Sequence, residues 1–141
     1  MEFEFADAEV AACTLEGTEL TVRFAAVRAQ AYPRAEAQWM PLTLIASGVQ
    51  ATTPTDVPAS LGRLHDGLVV WATSGRRQRG LDIPFDSAAT VAEGGAPSPA
   101  DTQGGCTLEL EWAQGQRSRW AVARLQVLAP ASHCAVGAYQ C

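Results

Sequence analysis

The chain of 141 residues carries 15 acidic and 10 basic side chains, a net charge of −5, and is 48% hydrophobic. Its length suits a single domain that buries about two thirds of its unfolded surface, so folding requires neither a metal nor a disulfide. The acidic charge argues against nucleic-acid binding as the main function, because such proteins present a basic face to the phosphates.

The sequence also carries information on cellular location. Its apolar runs are too short to span a bilayer. The segment from Met1 to Phe5 alternates acidic and aromatic side chains and lacks the basic and apolar blocks of a secretory signal. We therefore expect a cytoplasmic protein without membrane contact, in which the cysteines are reduced.

The first predicted element is a β-hairpin. Apolar residues alternate with polar ones on both sides of a turn at Gly17, which indicates two strands with one buried face. The alternation breaks around Asp7, where we expect a turn or bulge. On the return strand Phe24 and Val27 are three apart instead of two, which predicts a second bulge.

The next predicted strand runs from Trp39 to Ala46, after a connection that contains Pro33. Because proline cannot donate to the ladder, this strand either begins at Pro41 or lies at a sheet edge. Residues 49–60 are rich in Thr and Pro and predict a loop.

A central strand is predicted from Leu68 to Ala72, because its nearly continuous apolar run indicates burial on both faces. The pair Asp66-Gly67 predicts a turn before it. Residues 74–80 form a glycine-bounded basic loop, and the strand that follows contains Pro84, so it is short or lies at an edge.

The last predicted element is a hairpin from Cys106 to Leu128, around which the rest of the fold is organised. Even-numbered positions are apolar before the turn and again after it, so we expect these side chains to face the core: Cys106, Leu108, Leu110, Trp112, Trp120 and Val122. Apolar residues face one another if Leu110 pairs with Trp120 and Trp112 with Ser118.

That register places Glu111 opposite Arg119 and leaves a three-residue loop at 114–116, or a five-residue loop if the pair of Ala113 and Arg117 is open. If Gly17 is aligned with Gly115, the two hairpins have the same loop length, and the alternation of apolar residues breaks at the same position of each return strand. The match indicates either two related halves or two common bulged hairpins that agree by chance.

Together these elements predict an all-β domain of about seven to nine short antiparallel strands, either a sandwich or a partly open bent barrel. The domain spans residues 1–130, with a mobile Gly- and Pro-rich loop at 93–105, and a C-terminal tail follows at 131–141.

Metal binding and catalysis find little support in the sequence. The tail residues His133, Cys134 and Cys141 lack the short paired spacing of a zinc site, so we expect no metal and no cofactor. A disulfide between Cys134 and Cys141 would form only on oxidation. An enzyme would use His65 together with Asp82 or Asp86, which share one face if their strand is regular.

The four tryptophans suggest an alternative function. In a small-ligand carrier, these side chains would line an apolar pocket: Trp39, Trp71, Trp112 and Trp120. Otherwise they form the hydrophobic core, and any that are exposed mark a protein interface.

The arginines Arg76, Arg77 and Arg79 form a candidate partner-binding loop or simply a solvated one. We favour a non-enzymatic binding module whose partner is another protein or a second copy of the chain, because no catalytic set converges in the sequence. A small acidic neutraliser of a basic partner is one form that such a module takes.

Overall fold

The computed structural model describes residues 1–31, 35–50, 61–88 and 105–128. Most of the loop predicted at 49–60, most of the loop predicted to be mobile at 93–105, the tail at 131–141 and Pro33 lie outside the described residues. The described residues contain only β-strands, turns and irregular segments, which confirms the predicted all-β class.

Ten strands form in this part of the chain: β1 Glu2–Glu16, β2 Glu19–Gln30, β3 Gln38–Ser47, β4 Leu64–Trp71, β5 Arg77–Gln78, β6 Gly80–Asp82, β7 Phe85–Asp86, β8 Cys106–Trp112, β9 Arg117–Val122 and β10 Arg124–Leu128. The number exceeds the prediction because the short strand expected around Pro84 is divided into β6 and β7, and part of the basic loop forms β5.

A six-stranded antiparallel sheet has the order β6-β1-β2-β3-β10-β7. Its two edge strands, β6 and β7, are separated in sequence only by Ile83 and Pro84. The sheet therefore curls until this short link joins its edges, which gives a nearly closed barrel.

The second sheet is antiparallel and has the order β5-β4-β8-β9. It lies against β1, since the backbone N–H of Phe5 donates to the carbonyl of Arg79 at 3.1 Å and that of Val10 donates to the carbonyl of Gly62 at 2.9 Å. The inner faces of both sheets enclose one hydrophobic core, which includes Phe3, Phe5, Phe24, Trp71 and Trp112.

The bulge predicted around Asp7 is confirmed. Asp7 has a φ of 63°, and the pairing of β1 with β2 shifts register between Glu4 and Val10. Aspartate tolerates the left-handed conformation better than most residues. The extra residue brings both Phe5 and Ala8 to the core side, although they are three positions apart.

The hairpin of β8 and β9 buries its even-numbered residues as predicted, but the predicted register was wrong by two residues. Leu108 faces Trp120 and Leu110 faces Ser118. A shift of two positions leaves the same side chains on the same face, so the apolar pattern does not distinguish the two registers. The turn decides, because Gly115, with a φ of 100°, ends the loop at residues 113–115.

The turn predicted at Asp66-Gly67 was also wrong. Both residues lie within β4, beside a shift in its register against β8. Gly67 is needed there for space, since a Cβ at this position would lie 2.5 Å from the Cβ of Phe5. The central place of β4 in its sheet is confirmed, but Leu68 and Val70 are only half-buried on its outer face.

The two hairpins do not match in the way the sequence suggested. The β1–β2 loop has two residues, Gly17 and Thr18, whereas the β8–β9 loop has three. The bulge between Phe24 and Val27 is confirmed. The corresponding break near the C-terminus is instead the point at which the chain leaves β9 and enters β10 in the other sheet.

Candidate partner-binding surface

The structure separates the four tryptophans into two groups. Trp71, Trp112 and Trp120 are at most 5% exposed, whereas Trp39 is 56% exposed. The indole N–H of Trp71 donates to Oε1 of Gln78, and that of Trp112 donates to Oγ of Ser118 at 2.8 Å. The three buried tryptophans therefore belong to the core, and only Trp39 is accessible to a partner.

The basic loop lies beside carboxylates. Arg79 forms an ion pair with Asp66, and Arg77 lies on β5 opposite Val70. Arg76 precedes β5 and is also exposed. A depression of about 190 Å³ on this face contains Arg77, Arg79 and Arg117 together with Asp66, Glu109 and Glu111. The outer face of the four-stranded sheet thus carries mixed charge rather than a basic patch.

The residues proposed for catalysis lie on three different strands. Asp82 lies on β6 opposite Glu2, and Asp86 lies on β7 opposite Gln126, because the strand that was predicted to be regular is interrupted at Pro84. Asp86 accepts hydrogen bonds from Nε and Nη2 of Arg124, the former at 2.9 Å. These hydrogen bonds hold the pKa of the Asp86 carboxyl below its usual value. His65 is exposed on β4.

The two described cysteines are not activated. Burial raises the pKa of the Cys13 thiol to about 11 and that of the Cys106 thiol to about 12. Since the thiolate is the reactive form, neither thiol is poised as a nucleophile at neutral pH.

Another depression, of about 450 Å³, has polar and apolar lining in similar proportion. Glu4 lines it, and the Glu4 carboxylate is 3.3 Å from Nη1 of Arg28. The other lining residues are Glu2, Phe3, Gln30, Gln78, Arg79 and Gly80. Acidic and basic groups are present together, so the site has no net preference for one sign of charge.

A further surface is formed by Ala11, Arg23, Ala25, Trp39, Pro41 and Leu128, which we call the Trp39 surface. All six residues are exposed. The five other than Trp39 line a depression of about 200 Å³ on the outer side of the six-stranded sheet. Two features lie beside it: β2 bulges next to Ala25, between Phe24 and Val27, and Leu128 of β10 lies opposite Thr43.

The strand that carries Trp39 and Pro41 is an inner strand of the six-stranded sheet. β3 pairs with β2 on one side and, from Thr43 to Ser47, with β10 on the other. It begins at Gln38, so both alternatives predicted from Pro41, a strand that begins there or one that lies at a sheet edge, were wrong.

Arg23 and Leu128 were missed in the sequence. The alternation of polar and apolar residues places Arg23 on the outer face of the sheet. Its neighbours depend on the strand order β2-β3-β10, because Arg23 pairs with Thr43, which pairs with Leu128, more than a hundred positions later in the chain. The position of Trp39 had a local signal, because it is out of phase with Leu42, Leu44 and Ala46, which are buried.

Comparisons of this chain with family models, with curated proteins and with solved structures gave no significant match. Within the described ranges, no group of three or more His, Cys, Asp or Glu side chains is arranged to hold a metal ion. The same residues include no helix with the length and apolar character required to cross a membrane.

Proposed function

We propose that this chain is a non-enzymatic, cytoplasmic protein-binding module, and that the Trp39 surface is its binding face. The observation that carries the proposal is the 56% exposure of Trp39 on a strand of the barrel. A tryptophan costs free energy when it is left in water, and tryptophans are enriched among the residues that dominate binding at protein interfaces.

The surroundings of Trp39 support this interpretation. Leu128 is 42% exposed, and Pro41 and Ala25 add further apolar area beside the same depression. An apolar centre with polar residues such as Arg23 and Thr43 around it is the usual composition of an interface. The side chains also lie on strands, so little conformational freedom is lost when a partner binds.

The alternative carrier function has less support. A pocket for an apolar ligand was expected among the tryptophans, but Trp71, Trp112 and Trp120 pack in the core, and two of their N–H groups are bonded to Gln78 and Ser118. The buried indoles stabilise the fold in this arrangement. The geometry therefore favours the protein-binding module over the carrier.

Site-specific photo-crosslinking tests the proposal. The photoreactive residue p-benzoylphenylalanine replaces Trp39 in one variant and Leu15 in a control. Leu15 is 52% exposed near the β1–β2 turn, about 25 Å away along β2. Both variants are crosslinked in the native host, and the products are identified by mass spectrometry.

We expect one reproducible protein at position 39, absent at position 15 and competed away by added wild-type chain but not by W39A. The same set of products at both positions, or no product at position 39, would contradict the proposal.

A further inference from the structure

The outer face of the four-stranded sheet carries opposite charges on two neighbouring strands. Glu109 and Glu111 of β8 lie on this face, and so do Arg117 and Arg119 of β9, because the residues that alternate with them are buried in the core. Glu109 pairs with Arg119 across the two strands, and Glu111 pairs with Arg117. A column of acids therefore runs beside a column of arginines.

The two columns are accessible from solvent. The side chain of Arg117 is 75% exposed, that of Glu111 is 38% exposed, and Nη2 of Arg117 lies 3.8 Å from Oε1 of Glu111, which is longer than a hydrogen bond. Since a guanidinium has several N–H donors, a second carboxylate can bind to Arg117 without displacing the first. Thr107 and Ala121 continue the two columns with small side chains, which leave room for a second sheet.

Two columns of opposite sign favour a second copy of the same chain over a partner with a single sign of charge. A purely acidic or purely basic surface would be attracted by one column and repelled by the other. A second copy turned by a two-fold axis that lies in the contact plane, parallel to the strands and midway between β8 and β9, exchanges the columns. Its arginines then lie over the acids of the first chain, and its acids lie over the arginines.

The same axis matches the individual residues. Residues that pair in the ladder lie at the same height along the axis, so Glu109 would face Arg119 of the second copy and Glu111 would face its Arg117. Paired side chains are about 5 Å apart at Cβ, and aligned sheets pack about 10 Å apart, a gap that a glutamate and an arginine span together. Four charged groups of alternating sign then form a square with attraction along every side, and such a network stabilises more than an isolated surface pair.

The overall charge of the chain also favours this face. Two copies with a net charge of −5 each repel one another, and the repulsion is least where basic residues are concentrated. Five of the ten basic residues lie in or beside strands β5 and β9 of this sheet: Arg76, Arg77, Arg79, Arg117 and Arg119. A second copy therefore meets less repulsion here than on a face without these arginines.

We propose that two copies of the chain associate through the outer faces of β8 and β9, with the reciprocal contacts Glu109 to Arg119 and Glu111 to Arg117. The contact covers two strands of each copy, so its area falls below the standard size of stable interfaces, and the dimer is weak, reversible and sensitive to salt. The Trp39 surface lies on the other sheet and stays open to the protein partner proposed above.

Charge exchange between the two columns tests this proposal. Sedimentation equilibrium of the full chain, at up to about 1 mM and at low and high salt, measures the association constant of the wild type, R119E, E109R and the control R77E. Arg77 is a matched control, because it lies on the same sheet but on β5, at the opposite edge from β9 and outside the contact. Circular dichroism verifies that each variant is folded.

We expect the wild type to dimerise at low salt and to dissociate at high salt. R119E and E109R should each associate at least about tenfold more weakly, whereas R77E should stay within about twofold of the wild type, although R77E and R119E have the same net charge. E109R makes the net charge of −5 less negative, so weaker association of this variant cannot come from general repulsion. An equimolar mixture of R119E and E109R should recover the association, since both mixed contacts then join opposite charges.

Three results would overturn the proposal: a wild type that stays monomeric up to about 1 mM at low salt, an R119E variant that associates as strongly as R77E, or a mixture of R119E and E109R that associates no better than either variant alone. A dimer that W39A dissociates would contradict it as well, because the contact would then lie on the Trp39 surface. The crosslinking experiment at position 39 does not depend on the dimer, so either proposal can fail without the other.

Discussion

Replacing Gly67 with alanine tests the packing of the two sheets against each other. A Cβ at this position would lie 2.5 Å from Cβ and 2.6 Å from Cγ of Phe5, where carbon atoms normally stand about 3.5–4.0 Å apart. Phe5 is fully buried and its ring packs edge-on against Phe3 at 5.1 Å, so it has no free space into which to move. Either β4 or Phe5 must therefore shift by about 1 Å.

Overpacking of this kind costs about 1–3 kcal/mol, and the smaller conformational freedom of alanine in the unfolded chain offsets about 0.4–1 kcal/mol of it. The net loss is about 1–2 kcal/mol, which for a domain of this size lowers the melting temperature by about 3–8 °C. Thermal unfolding followed by circular dichroism measures the effect.

Gly62 provides the matched control. It precedes the same strand, and a Cβ built there has no neighbour within 4 Å. We expect G62A to melt at or slightly above the wild-type temperature. A G67A variant that is as stable as G62A would refute the close approach of β4 to β1.

Two further predictions concern side-chain hydrogen bonds. The substitution S118A removes the acceptor of the buried Trp112 N–H and should lower the free energy of unfolding, measured in urea, by about 1–3 kcal/mol. In a W112F background the same substitution should cost much less. Equal losses in both backgrounds would contradict a hydrogen bond between Trp112 and Ser118. The Asp86 carboxyl has a lower pKa in the folded state than in the unfolded chain, so its pairing with Arg124 stabilises the fold above the unfolded value of about 3.9 and is lost as pH falls through the folded pKa. The stability difference between wild type and D86N should thus be largest near pH 7 and shrink below about pH 4, whereas a difference that grows on acidification would contradict the ion pair.

The sequence predicted which residues face the core more reliably than it predicted how the strands pair. Alternation depends on one strand at a time, and it placed Leu108, Leu110 and Trp112 inside correctly. The register between β8 and β9 depends on the loop, and two registers that differ by two residues bury the same side chains. The position of Gly115 at the end of the loop decided between them.

Non-local contacts account for the other errors. The pair Asp66-Gly67 resembles a turn sequence, but glycine is required at position 67 because the side chain of Phe5, about sixty residues earlier in the chain, leaves no space for a Cβ. Similarly, the pairing of β10 with β3 brings Leu128 beside Thr43, which in turn lies opposite Arg23 on β2. No short-range pattern reports these neighbours, so the composition of the Trp39 surface required the structure.

The affinity of the protein captured at position 39 for the wild type, W39A and L15A tests the central claim most directly. If Trp39 is the main apolar anchor, W39A should lose at least about 2 kcal/mol of binding free energy, about thirtyfold in Kd by isothermal titration calorimetry. L15A should bind within about twofold of the wild type, because Leu15 is equally exposed but distant. Equal affinities of W39A and L15A would contradict the assignment of this surface as the binding face.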